Sequence, residues 1–104
     1  DETALGTLHS NRSAAYFAIA DYANAIQDAD ECIRLRPKWA KGYFRKAAAL
    51  VQQQRLKEGV TAYERGLVFE PTNAAMKAAR DDTILLQKVK YVPYPTSVMA
   101  PAKE

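Results

Sequence analysis

Asn11-Arg12-Ser13-Ala14-Ala15-Tyr16 and Arg45-Lys46-Ala47-Ala48-Ala49-Leu50 stand 34 residues apart and pair small with small and apolar with apolar. The same shift carries Tyr22 to Leu56, Ala25 to Gly59, Ala29 to Tyr63, Cys32 to Gly66 and Leu35 to Phe69. It also superposes Pro37 on Pro71. A match sustained over so many positions is an internal repeat. A period of this length marks stacked supersecondary units, each burying its apolar face against its neighbour.

Each unit reads as two helices. Leu5, Leu8, Arg12, Ala15 and Tyr16 follow a three/four spacing, which predicts an amphipathic first helix. Asp21 is placed to cap a second helix whose apolar stripe is Tyr22, Ala25, Ile26, Ala29, Cys32 and Ile33. Pro37 ends it, since proline lacks an N–H and disfavours helix at the residue before it. The second unit repeats the plan over roughly 38–53 and 56–69, with Pro71 as its stop. Ala25, Ala29, Gly59 and Gly66 are small where paired helices must approach closely. A further helix is expected over about 73–90, capped by Asn73 and covering the apolar edge of the last unit with Ala75, Ala79, Ile84, Leu85 and Val89. Pro93, Pro95 and Pro101 predict an extended tail over 91–104. The reading is therefore an all-α solenoid over 1–90, with repeats at about 6–39 and 40–73.

Composition agrees and narrows the function. The chain has 104 residues, 48% hydrophobic and 26% charged, which suits one folded domain rather than a disordered segment. The net charge of +3 comes without a Lys/Arg-rich run, so nucleic acid is a poor candidate partner. No apolar run is long enough to span a bilayer, so no membrane role is expected. The single Cys32 cannot form an internal disulfide, which points to a reducing, cytoplasmic setting. No CxxC, HExxH, GxGxxG or P-loop motif occurs, and one histidine cannot build a histidine metal cluster, so no cofactor, metal or catalytic residue is expected. Opening on Asp1 rather than Met, the chain reads as a piece of a longer protein.

Two 34-residue helix–turn–helix units ending in proline resemble tetratricopeptide repeats. The strings Ser10-Asn11-Arg12-Ser13-Ala14-Ala15-Tyr16 and Lys41-Gly42-Tyr43-Phe44-Arg45-Lys46-Ala47-Ala48-Ala49-Leu50 are more specific. They resemble the second and third repeats of the chaperone-organising, Hop/stress-inducible co-chaperones, over about 8–73. The first helices of such an array line its concave side. Asn11 and Arg45 are repeat-related and so take the same place on adjacent first helices, with Lys41 one turn before Arg45 on the same face. Arginine offers a rigid fork for a carboxylate, lysine a mobile point charge, and asparagine two uncharged N–H donors. That set suits a peptide's terminal carboxylate beside an aspartate side chain.

The resemblance implies a carboxylate clamp. Its ligand would be the acidic Glu-Glu-Val-Asp terminus of heat-shock chaperones of the 70 or 90 kDa class, with Ser10, Ala14, Phe17, Phe44 and Ala48 lining the groove beside it. A few charge-assisted hydrogen bonds at about 1.5–3 kcal/mol each, with one apolar contact, reach roughly micromolar affinity. The family's clamp has five members, and its remaining Lys and Asn come from a repeat that would precede Asp1. Thr3 stands where a repeat-ending proline is expected, and Gly6 weakens the start of the first helix. The plainer alternative for Lys41 and Arg45 is a solvated helix face. His9 reads as a packing residue, Cys32 as inert core, Trp39 as packing at the inter-repeat turn, and Arg12 and Lys46 as structural. Tyr91, Tyr94 and Val98 are candidate docking residues of the tail. Two other roles stay open: a structural subunit packed among other subunits of an assembly, and a targeting module of a larger enzyme.

Overall fold

A computed structural model describes residues 1–91, with side chains through 89; the tail residues Tyr94 and Val98, and the side chain of Tyr91, lie outside the described part. It contains α1 (Glu2–Ala18), α2 (Tyr22–Leu35), α3 (Ala40–Gln52), α4 (Leu56–Phe69) and α5 (Ala74–Tyr91), and the described residues form no strand. The first helix of each unit is stopped in the same way. Ala20 and Gln54, 34 residues apart, hold positive φ of 62° and 65°. Behind them Asp21 N–H donates to the Tyr16 carbonyl and Ala20 N–H to that of Phe17; Arg55 and Gln54 repeat the pair on Leu50 and Val51, all at 2.9 Å. This left-handed cap satisfies the last carbonyls of the helix and turns the chain back on itself.

Side chains cap the N-termini of α1, α2 and α5. The Asp1 carboxylate accepts from Ala4 N–H at 2.8 Å, Asp21 from Asn24 N–H at 3.3 Å and Asn73 from Met76 N–H at 2.9 Å. Helix α3 begins at Ala40 rather than near Lys38. Pro37 is followed by a turn in which Trp39 N–H donates to the Arg36 carbonyl at 3.1 Å, leaving Trp39 extended.

Each α-helical pair packs on the next: α1 on α2, α2 on α3, α3 on α4, α4 on α5. Helices α1 and α3 also touch directly, as first helices on the inner side of a curved array must. The core centres on Ala40, Ala47, Leu50, Ala62, Tyr63, Leu67 and Met76, with Phe44 and Ala79 packed against it. Repeat-related positions share burial: Ser13 with Ala47, Ala25 with Gly59, Ala29 with Tyr63, Cys32 with Gly66. Close approach of the helices explains the two glycines among them. A Cβ on Gly59 would sit 2.8 Å from Val51 Cγ2, and one on Gly66 2.7 Å from Met76 Sδ.

Helix α1 departs from its expected face. Leu5 and Leu8 are 47% and 61% exposed, and the buried side is Gly6, Ser10 and Ser13. Three small residues at i, i+4 and i+7 bring the α1 backbone close to α2, and Ser13 Oγ donates to the Ala25 carbonyl at 2.7 Å. Gly6 is a seat rather than a weak start: a Cβ there would meet Arg36 Cγ and Cδ at 2.6 Å. From that seat Arg36 donates to Thr7 Oγ1 at 2.9 Å and stacks on Trp39 at 3.8 Å. Thr3 lies inside α1 and its carbonyl accepts from the Thr7 hydroxyl, so nothing ends there.

Candidate peptide-binding groove

Positions 41, 44, 45 and 48 share one face of α3 because they recur every third or fourth residue. Its opposite side is consumed by the core through Ala40, Ala47 and Leu50. Positions 14 and 17 present the matching face of α1. Between the two helices lies a pocket of about 110 Å³ lined by Ser13, Ala14, Phe17, Phe44, Arg45 and Ala48. Phe17 is held edge-on by Tyr22 with ring centroids 5.3 Å apart, and Phe44 leans on Tyr63 at 5.9 Å. The aromatic walls are therefore fixed from behind.

Arg45 Nε donates to Ser10 Oγ at 3.3 Å, across from α3 to α1. Neither Arg45 nor Lys41 has a carboxylate partner among the described residues. Lys41 is exposed and borders a second hollow of about 340 Å³ with Phe44, Glu70, Asn73 and Met76. Asn11 is exposed on α1, next to Ser10. Thus Ala14, Phe17, Phe44, Arg45 and Ala48 meet around one pocket, Lys41 sits beside it through Phe44, and Asn11 stands on the neighbouring helix.

Ser10 differs from its expected place as a groove-lining residue. It is 1% exposed and serves as a brace behind Arg45, because its small side chain lies on the α1 face that packs inward. Cys32 is fully buried, and burial pushes its thiol pKa up, so it stays protonated and inert.

Sequence reasoning missed the polar lock between α1 and α2. Asp28 is 4% exposed, yet it accepts from Arg12 Nε and Nη2 at 2.8 Å each and contacts His9 Nδ1 at 3.0 Å. Hydrogen bonding from Arg12, then from His9, holds the Asp28 carboxyl below its usual range against an opposing effect of burial. The signal was an acid inside the stripe Ala25, Ala29, Cys32, with His9 and Arg12 spaced three apart on the facing helix. Arg12 and its repeat partner Lys46 are both structural cations, since Lys46 pairs with Asp30 at 2.8 Å.

Among the described residues no His, Cys, Asp and Glu cluster could hold a metal, and no helix is long and apolar enough to cross a membrane. No protein-family model matches the chain. The Hsp70-Hsp90 organizing protein of Triticum aestivum is 43% identical over 75 residues, which is 72% of this chain and 13% of that protein. The chain thus spans only about an eighth of that curated relative. Among solved structures, the first tetratricopeptide domain of Spaghetti (RPAP3), bound to HSP90 peptide SRMEEVD, is 30% identical with a TM-score of 0.77 over 81% of this chain and 68% of that one. The second such domain of human RPAP3, in complex with HSP70 peptide SGPTIEEVD, is 27% identical with a TM-score of 0.72 over 75% of this chain and 65% of that one. With its 34-residue period, paired helices and this likeness in sequence and structure, the chain belongs to the tetratricopeptide-repeat family and resembles the domains of the Hop/stress-inducible co-chaperones.

Proposed function

We propose that the chain is a non-enzymatic cytoplasmic adaptor that captures the acidic C-terminal peptide of heat-shock chaperones of the 70 or 90 kDa class. Residues 1–90 form the binding unit in this reading, with repeats at about 6–39 and 40–73, a cap at about 73–90 and a tail at 91–104. Arg45 grips a carboxylate with its planar fork, Lys41 adds a positive charge one turn away, and Asn11 donates N–H groups from α1. Ala14, Phe17, Phe44 and Ala48 receive a small apolar side chain, and Ser10 holds Arg45 in its rotamer. The observation that carries the proposal is the pair of cations with no ion pair among the described residues, Lys41 and Arg45, flanking an apolar pocket. The chaperone peptides bound by the related RPAP3 domains support it. Lone Cys32 supports a reducing compartment.

Calorimetric titration with a peptide ending in Glu-Glu-Val-Asp, and with its C-terminally amidated form, tests the reading. Binding near micromolar that amidation abolishes is expected. The variant Arg45→Glu should lose the peptide while keeping its helical circular dichroism. Equal binding of both peptides, or unchanged affinity in Arg45→Glu, would refute the clamp. A second reading, as a structural subunit, draws on the exposed apolar residues at both ends of the stack: Leu5 and Leu8 at one, Leu85, Leu86 and Val89 at the other. Failure of peptide binding, together with co-purification in a stable assembly, would favour it.

A further inference from the structure

A third recess opens away from that groove, lined by residues of α2, α3 and α4 and by none that line the α1–α3 pocket. It measures about 380 Å³. Its floor is Ile33, Leu50 and Ala62, with Tyr43, and its rim carries Lys46, Lys57 and Arg65. The acids on the rim are already engaged: Asp30 pairs with Lys46 at 2.8 Å, and Glu58 is turned to Arg55 at 2.8 Å. Lys57 and Arg65 have no ion pair with any described residue. They lie eight residues apart on α4, so about 12 Å separates them along the helix axis.

The repeat does not demand these cations. Shifted back by 34 residues, Lys57 falls on Ala23, Thr61 on Gln27 and Arg65 on Glu31. The equivalent outward face of α2 is thus neutral to acidic, although the two helices do the same packing work. Basic residues on α4 therefore reflect what meets this face rather than how the solenoid stacks. The hydroxyl of Tyr43 donates to the Pro37 carbonyl at 2.8 Å, which fixes one wall of the recess without any ligand.

We propose that this outer recess is a second protein-docking site, for an acidic amphipathic helix of a partner. Such a helix would lie along α4, seat one aliphatic side chain over Ile33, Leu50 and Ala62, and place carboxylates two turns apart against Lys57 and Arg65. Charge complementarity selects the occupant: a basic or neutral helix would leave both cations uncompensated over an apolar floor. The site uses neither a terminal carboxylate nor any residue of the α1–α3 groove, so it stands or falls independently of the function proposed above.

The test is two-dimensional amide NMR of the isotopically labelled chain titrated with a blocked probe helix, acetyl-EALLEALAEALLE-amide, which has no free terminus. Saturable shifts confined to residues around Ile33, Lys57, Thr61 and Arg65 are expected. Lys57→Glu and Arg65→Glu are exposed changes and should each weaken the probe at least tenfold, while binding of a Glu-Glu-Val-Asp peptide stays as in the parent. Raising salt from 50 to 500 mM should weaken the probe similarly. Absence of saturable shifts, shifts centred on Phe44 and Arg45 instead, or affinity indifferent to Arg65→Glu would overturn the proposal. So would self-association of the chain that buries the α4 face.

Discussion

Replacing Asp28 by alanine is the sharpest test of what holds the first repeat together. The carboxylate is nearly solvent-free, yet it takes two bonds from Arg12 and one from His9. In a shielded site a bond to a charged partner contributes about 1.5–3 kcal/mol. Arg12, however, is 59% exposed and rehydrates once its acceptor is gone, so the lower figure of an ordinary bond, about 1 kcal/mol, applies to each. Asp28→Ala should therefore cost about 2–3 kcal/mol, a large share of the roughly 5–10 kcal/mol that a chain of this size can hold. Urea denaturation followed by circular dichroism measures it. The pH dependence adds a second, independent readout. Asp28 has a folded pKa below its unfolded value of about 3.9. Its contribution is then fully present above that value and is lost as pH falls through the folded pKa. Between about pH 5 and pH 2 the parent should lose stability more steeply than Asp28→Ala, and the difference should shrink towards the acid end. Carboxylates that do not feel Asp28, Glu58 among them, titrate in both proteins and cancel in the comparison. A loss under about 0.5 kcal/mol, or parallel acid profiles, would mean that the lock contributes nothing net and that the small-residue seam of Gly6, Ser10 and Ser13 alone joins α1 to α2.

Ala20→Gly and Gln54→Gly relieve left-handed backbone at the two helix ends and should each raise stability by up to about 1 kcal/mol in urea melts; destabilisation would show that the turn is not strained. Gly59→Ala gains helix propensity but drives a methyl into the stiff Val51 side chain, so it should destabilise by about 1–2 kcal/mol, and by less in a Val51→Ala background. A cycle of the four proteins that proves additive would refute that contact. Ser10→Ala frees Arg45 and should weaken a Glu-Glu-Val-Asp peptide about threefold to tenfold by calorimetry, without changing the helix content; unaltered affinity would show that Arg45 needs no brace.

How much could be read from the sequence depends on whether periodicity reports a residue's role. The helix pairs were legible because Pro37, Pro71, Asp21 and Asn73 act locally, through a missing N–H or a side-chain cap. The inward faces of α2 and α4 were legible because large and small apolar residues recur every third or fourth position. Helix α1 was not, since its apolar pattern is inverted. Leu5 and Leu8 face out while Gly6, Ser10 and Ser13 face in, and polarity alone ranks serine with the surface. Only the alignment of Ser13 with Ala47 and Gly6 with Ala40 carries the information, because size is conserved between repeats where polarity is not.

The same logic separates the two cation sets on the molecule. Arg12 and Lys46 are equivalent under the repeat, each ties its first helix to an acid on α2, and their charges are spent inside the fold. Asn11 and Arg45 are equivalent too, but neither meets a carboxylate among the described residues, and Lys41 and Arg45 stand beside a pocket whose walls are held from behind. A solenoid built of repeats must satisfy the same packing demands at each equivalent position. A charge that recurs with a partner therefore belongs to the scaffold, and one kept without a partner is left for something outside it. Under the two proposals made above, Lys41 and Arg45 on the inner face, and Lys57 and Arg65 on the outer one, are the residues that would meet other proteins.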